Sequence, residues 1–209
     1  PMYYEFPEHD EAYYSDMNGK FAQYFYGNDM FVAPVVEPAA NNVNDTDFTG
    51  LTSKQVWVPP GTWVEKDRGL VVKGPQTITR NYALEEIPQF IRVGAMIPTL
   101  PHIPGDTIGK ATETYKAITW TIYLGDDGSA TEGSGSIYED DGTTMNYLKQ
   151  SSTPGTTASF QNNGRLLEFV VNSSTEKQWT LRVVNSLLPK SITFGGKTII
   201  PYSRFPTKS

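Results

Sequence analysis

Apolar residues along the chain recur mostly at every second position, in short runs rich in Val, Ile, Thr, Trp and Tyr that Gly, Pro, Asn and Asp interrupt. Alternation at a period of two puts one face of a strand inward, so the pattern predicts a mainly β fold. From Met30 onward strands are expected at "MFVAPVV", "KQVWVP", "TWVEK", "QTITRNY", "QFIRVG", "AITWTIYL", "GSIYEDD", "ASFQNN", "RLLEFVVNS", "WTLRVVN", "SITFGG" and "KTIIPY". Strands of this number and spacing suit β-sandwiches. Pro59-Pro60-Gly61 reads as a turn, and Asn163-Gly164 as a two-residue hairpin connection. The first residues differ in character. "MYYEF" reads as an extended segment stopped by Pro7, and the acidic text after it has room for a short helix before Gly27 and Asn28. A boundary falls in "IPTLPHIPGDTIGK", where Pro98, Pro101, Pro104, Gly105 and Gly109 prevent regular structure, and the β region divides near residue 105.

Composition narrows the classes. The 209 residues could form one large or two small domains, each with its own core. Lys and Arg number 17 against 23 Asp and Glu, a net charge of -6, and no basic cluster tracks a phosphate backbone. Nucleic acid is therefore not an expected partner. No apolar run approaches the roughly 20 residues of a membrane helix, so no membrane span is expected. Cysteine is absent, which removes disulfides, thiol catalysis and Cys-based zinc sites. Two acceptor sequons, Asn44-Asp-Thr and Asn172-Ser-Ser, are glycosylation candidates if the chain enters a secretory lumen or is exported. Pro1 and "MYYEF" lack the layout of a signal peptide and read as an internal start.

The acidic stretch "GSIYEDDGTTMNY" invites a catalytic reading, since Glu139, Asp140 and Asp141 stand in a row. Carboxyl pairs that cleave glycosides must face each other across a cleft. Neighbours on a regular strand point to opposite faces, so an Asp-Asp-Gly turn capped by its own side chains is the expectation. Calcium is the second reading, with Asp140 and Asp141 as candidate ligands alongside Asp126, Asp127 or Glu132 if the two loops converge; the spacing does not match the helix-loop-helix calcium pattern. His9 and His102, the two histidines, support neither a His-rich metal site nor a catalytic triad and are read as surface residues. Trp57, Trp120 and Trp179 lie in alternating strand text and read as core. Trp63, just past the Pro-Pro-Gly, is the exposed candidate for stacking on a sugar ring.

The order of segments carries more than any one of them. "PMYYEFPEHDEAYYSD", "YFYGNDMFVAPVV", "VWVPPGTWVE", "YALEEIPQFIRVGAMIP" and "GSIYEDDGTTMNY" follow one another over roughly residues 1 to 147. This series resembles the C-terminal part of glycoside hydrolase family 31. The resemblance implies that Pro1 to Phe6 are the last strand of a (β/α)8 barrel whose remainder is not in this chain, with 1–29 as the barrel's end. It further implies a proximal β-sandwich over 30–104, closed by Ile87, Pro88, Phe90, Arg92, Gly94, Ile97 and Pro98, and a distal β-sandwich over 105–209.

The function implied is that of a segment of a retaining α-glycosidase, an α-glucosidase hydrolysing terminal α-linked glucose, with no cofactor. The partner implied is the N-terminal catalytic portion of the same enzyme, and the substrate an α-linked oligosaccharide. The family's two catalytic Asp residues lie upstream of the position of Pro1, so no catalytic residue is expected in this chain. The alternative reading is a free-standing carbohydrate-binding β-sandwich module that uses Trp63 and the tyrosine-rich N-terminus. "MYYEFP" to "FVAPVV" argues against it, because a lone barrel strand cannot satisfy its own backbone.

Overall fold

The computed structural model describes residues 1–14, 21–36, 50–83, 85–101, 115–140, 144–148 and 155–199. The chain opens with a 3-10 turn at Met2–Tyr4 and a single-turn helix α1 at Asp10–Tyr13. The extended segment expected at "MYYEF" is thus a turn in this chain. Among the described residues no strand pairs with it, and Glu5 and Phe6 both donate back to the Met2 carbonyl, each at 3.1 Å.

Five strands follow: β1 (Tyr24–Phe25), β2 (Met30–Val32), β3 (Leu51–Glu65), β4 (Leu70–Ala83) and β5 (Gln89–Arg92). They form one antiparallel sheet in the order β1-β2-β5-β3-β4. "KQVWVP" and "TWVEK" are a single strand, and the Pro-Pro-Gly between them is an irregularity of register between Val58 and Gly61. Neither proline can donate to the ladder, so the pairing slips there and resumes beyond. Gly74 lies opposite because a Cβ at that position would stand 2.0 Å from the Pro59 carbonyl oxygen.

The N-terminal segment closes over one face of this sheet. Met2, Ala12 and Phe21 share a buried cluster with Phe31, Val56, Trp57, Val58, Trp63 and Phe90. Polar clamps hold the segment down. The Gln23 amide donates to the Trp57 carbonyl at 2.7 Å and accepts from the Trp57 amide at 3.0 Å, while the Lys54 ammonium donates to the Phe21 carbonyl at 2.5 Å.

Past β5 the chain turns at Gly94, where φ is 93°, and enters a second unit. Strand β6 (Met96–Thr99) pairs with β7 (Ala117–Tyr123), which pairs in parallel with β11 (Gln178–Val184). A second antiparallel sheet contains β8 (Glu132–Ile137), β9 (Thr156–Asn162) and β10 (Leu167–Ser173) in the order β10-β9-β8. Between the two sheets Met96, Ile118, Trp120, Ile122, Leu124, Ala158 and Phe160 are buried. A third cluster of Val64, Ile91, Ala95 and Tyr123 ties the units together. Strands β12 (Ile192–Phe194) and β13 (Lys197–Ile199) form a separate hairpin.

Two expectations shift at this level. Ile97 and Pro98 belong to the second unit's sheet, because the Gly94 turn sends the backbone across before the proline-rich loop begins. That loop, over 102–114, lies outside the described residues. The hairpin at Asn163-Gly164 is wider than two residues, with Asn162 paired to Leu167. The Asn163 side chain accounts for this: its Oδ1 accepts from the amides of both Arg165 and Leu166, at 3.0 and 2.9 Å, which favours a longer turn.

Candidate functional site

The three consecutive carboxylates have separate fates. Glu139 leaves the end of β8 and turns inward, its side chain 16% exposed, to meet the fully buried ammonium of Lys177 at 2.7 Å. Lys177 also donates to the Tyr115 carbonyl at 3.0 Å and to the Thr175 hydroxyl at 2.7 Å. The other oxygen of Glu139 accepts from the Thr156 hydroxyl at 2.8 Å. One ion pair therefore ties the exit of β8 to the start of β9 and the connection into β11. Gly155 makes room for it, since a Cβ there would lie 2.6 Å from that of Glu139. A buried pair of this kind, with its remaining hydrogen-bonding capacity used, anchors loops.

Asp140 is exposed, and Asp141 lies outside the described residues. Asp127 accepts from the Ser129 amide at 2.7 Å, and the hydrogen bonds from Ser129 hold its carboxyl below the usual range. It caps its own turn. Among the described residues no group of three or more His, Cys, Asp or Glu gathers in a metal-binding arrangement.

A second ionic cluster closes the β3–β4 hairpin. Glu65, only 3% exposed, faces Arg80 Nε at 3.1 Å and Arg68 Nε at 3.5 Å and accepts from the Tyr82 hydroxyl at 2.9 Å. Burial first, and then the charge of Glu65, push the Tyr82 hydroxyl well above its ordinary pKa. Arg68 lies 4.5 Å from the Tyr82 ring centroid and bridges to Glu86 at 3.2 Å. Glu65, Arg68, Arg80 and Glu86 are thus all ion-paired within the cluster.

The tryptophans correct the expectation of an exposed stacking platform. Trp63 is fully buried. Its indole N–H donates to the Pro59 carbonyl at 3.0 Å, the Arg92 guanidinium lies 4.5 Å from its ring centroid, and Phe31 meets it edge-on at 5.0 Å. Because β3 resumes its pairing beyond the Pro-Pro-Gly, with Trp63 opposite Val72, Trp63 lies within a strand instead of at a turn. Trp57 and Trp120 are likewise buried, and Trp179 packs against the distal core. The free-standing module thereby loses its named tryptophan contact.

The N-terminal segment does carry exposed aromatic rings: Tyr4, Tyr13, Tyr14, Tyr24 and Tyr26 are all exposed. Tyr3 stacks on Tyr13 with centroids 5.3 Å apart, and the Tyr13 hydroxyl donates to the Pro7 carbonyl at 3.1 Å. His9 is half-buried against Phe6 and Trp57, so it is not the open surface residue expected, while His102 lies outside the described residues. Of the two sequons, Asn172 is exposed at the end of β10, and Asn44 lies outside the described residues.

The model for the Glycosyl hydrolase family 31 C-terminal domain matches residues 1–97. Residues 1–97 carry the C-terminal domain of glycoside hydrolase family 31. Human neutral alpha-glucosidase C is 34% identical over 152 residues, which cover 72% of this chain and 14% of that protein. An isomaltosyltransferase of Sporosarcina globispora is 26% identical over 125 residues, covering 58% of this chain and 10% of its own length. Among solved structures, the family 31 dextranase of Flavobacterium johnsoniae, determined with isomaltotriose, superposes on 95% of this chain and 23% of its own with a TM-score of 0.70 at 25% identity. The chain thus spans a small fraction of the family 31 enzymes it matches.

Sequence reasoning missed the two buried ionic clusters, and for a physical reason. Glu65, Arg80, Glu139 and Lys177 meet only through strand pairing and loop closure, and none stands at a spacing that would betray its partner. The available hint was the polar residue on an inward strand position, Glu65 following Trp63 and Val64.

Proposed function

We propose that this chain is the C-terminal segment of a retaining α-glucosidase that releases terminal α-linked glucose, with the catalytic Asp pair in the portion upstream. Family membership carries the reading, and the 34% identity to human neutral alpha-glucosidase C supports glucose as the sugar released. The retaining mechanism needs two carboxyl groups roughly 5 Å apart, one as nucleophile and one as acid and then base. The inward carboxylates of this segment, Glu65 and Glu139, are each neutralised by Arg or Lys and serve structure.

The segment's work is support. The N-terminal residues, clamped by Gln23 and Lys54 onto β3, present their tyrosines outward to the catalytic portion, and the proximal sheet holds that surface rigid. Tyrosine suits such a seam, with an apolar ring and a hydroxyl that bonds at the rim. The test compares the full-length enzyme with residues 1–209 alone on a chromogenic α-glucoside. The full-length enzyme should release the sugar with retained anomeric configuration and the segment should release none. Turnover by the segment alone, or inversion by the whole enzyme, would overturn the proposal.

A further inference from the structure

Strand β10 is the open edge of its sheet: its inner side pairs with β9, and among the described residues no strand pairs with its other side. Its inward residues Phe169 and Val171 pack on the distal core. The outward row reads Glu168, Val170 and Asn172, and Val170 is 52% exposed. An exposed edge strand is a template for pairing with another chain, the more so where an apolar side chain such as Val170 stands open on it, and proteins blunt such edges with charge, proline or a cover. Here the row carries a single charge.

Asn172 is the first residue of the sequon Asn172-Ser173-Ser174, and its position within the strand is fixed. It pairs with Thr157 across the ladder, and the next turn is locked by Ser174, whose amide and hydroxyl both donate to the Gly155 carbonyl, at 3.0 and 3.2 Å. This lock leaves Asn172 outward and solvent-facing at the strand end, with Val170 beside it on the same face.

We propose that Asn172 carries an N-linked glycan and that the glycan covers the open edge of β10. The amide nitrogen of Asn172 forms a bond to C1 of an oligosaccharide, the C1–oxygen bond to a polyprenyl diphosphate donor breaks, and the amide gives up one proton as the diphosphate leaves. A branched polar sugar anchored there overhangs Val170 and bars strand addition along the edge. The inference is independent of which glycosidic bond the enzyme cleaves.

Trypsin cuts after Arg165 and Lys177, so the site falls on a single peptide, 166–177. The full-length enzyme isolated from its own cells is treated with an N-glycan amidase in heavy-oxygen water and digested. The expected result is heavy Asp at position 172; recovery of the peptide with unmodified Asn172 overturns the proposal. The covering role has its own readout. Enzyme trimmed of glycan while folded should self-associate several-fold more than the untreated enzyme by light scattering, and Asn172→Gln should behave like the trimmed form. Adding Val170→Lys to Asn172→Gln should return the scattering to that of the untreated enzyme. Equal scattering with and without glycan would refute the cover.

Discussion

The two cores of this chain are built from different materials. Beneath β3, Trp57, Trp63, Phe31 and Phe90 interlock: Phe31 stacks on Phe90 at 4.7 Å and 6°, and Trp63 meets Phe31 edge-on at 5.0 Å. Between the distal sheets Trp120 and Phe160 are joined by Met96, Ile118, Ile122, Leu124 and Ala158. Aromatic rings impose separations and angles on one another, whereas aliphatic side chains ask mainly for volume and an inward position. The family model ends near the boundary between the two units. It runs through the proximal sheet and ends at residue 97, inside the first strand of the distal unit, while the superposition on the dextranase reaches 95% of the chain. The alignment with human neutral alpha-glucosidase C, 152 residues long, also extends past residue 97, so likeness in sequence continues into the distal unit.

The contrast can be broken by mutation. Trp63→Ala should be the costliest change, removing the ring that touches Phe31, Arg92 and the Pro59 carbonyl, with a loss of about 3–5 kcal/mol in chemical denaturation. A loss below about 1 kcal/mol would mean that the aromatic cluster is not what holds the proximal unit. In the distal unit the largest effect should come from charge. Glu139→Gln strands the buried Lys177 ammonium at a cost of roughly 3 kcal/mol, and Glu139→Leu combined with Lys177→Met should recover most of it. If the double variant is as unstable as the single, the pair is not the distal anchor.

A finer comparison uses one substitution in both cores. Phe31→Leu should cost about 1 kcal/mol more than Phe160→Leu, because it forfeits three ring pairings, with Phe25, Trp63 and Phe90, as well as volume. Equal losses would erase the distinction between the cores.

The smallest effects depend on pH. Tyr82 is neutral and bonded to Glu65 in the fold, with its pKa raised above the ordinary 10.0. Its contribution is therefore complete below that value and is lost as pH rises beyond it, so Tyr82→Phe should flatten the alkaline limb of the stability profile. At the distal Asp127 the sign reverses. Its pKa lies below the ordinary 3.8, so its contribution is present above that value and fades as pH falls through the lowered pKa. Asp127→Ala should therefore change the profile only at its acid end.

Much of the architecture was legible because alternation is a local property. The runs around "AITWTIYL", "ASFQNN" and "WTLRVVN" became β7, β9 and β11. What escaped depended on partners distant in sequence. The Pro-Pro-Gly in β3 looked like a turn, but pairing with β4 on both sides makes it a slip within one strand. Trp63 looked exposed only on the strength of that turn. "MYYEF" has a strand's composition and takes a 3-10 turn where no strand among the described residues pairs with it. Glu139 sat in the acidic stretch that drew notice first, and its Lys177 partner is three strands away in the chain.

The central claim is that this segment works as one part of a larger glycosidase whose catalytic carboxylates lie elsewhere. Native mass spectrometry of the enzyme purified from its own cells, set against its denatured mass, tests it most directly. The account predicts that residues 1–209 travel with a larger portion, joined covalently or held after cleavage, of a mass sufficient for a barrel. Finding these residues folded, alone and of their own mass would contradict it.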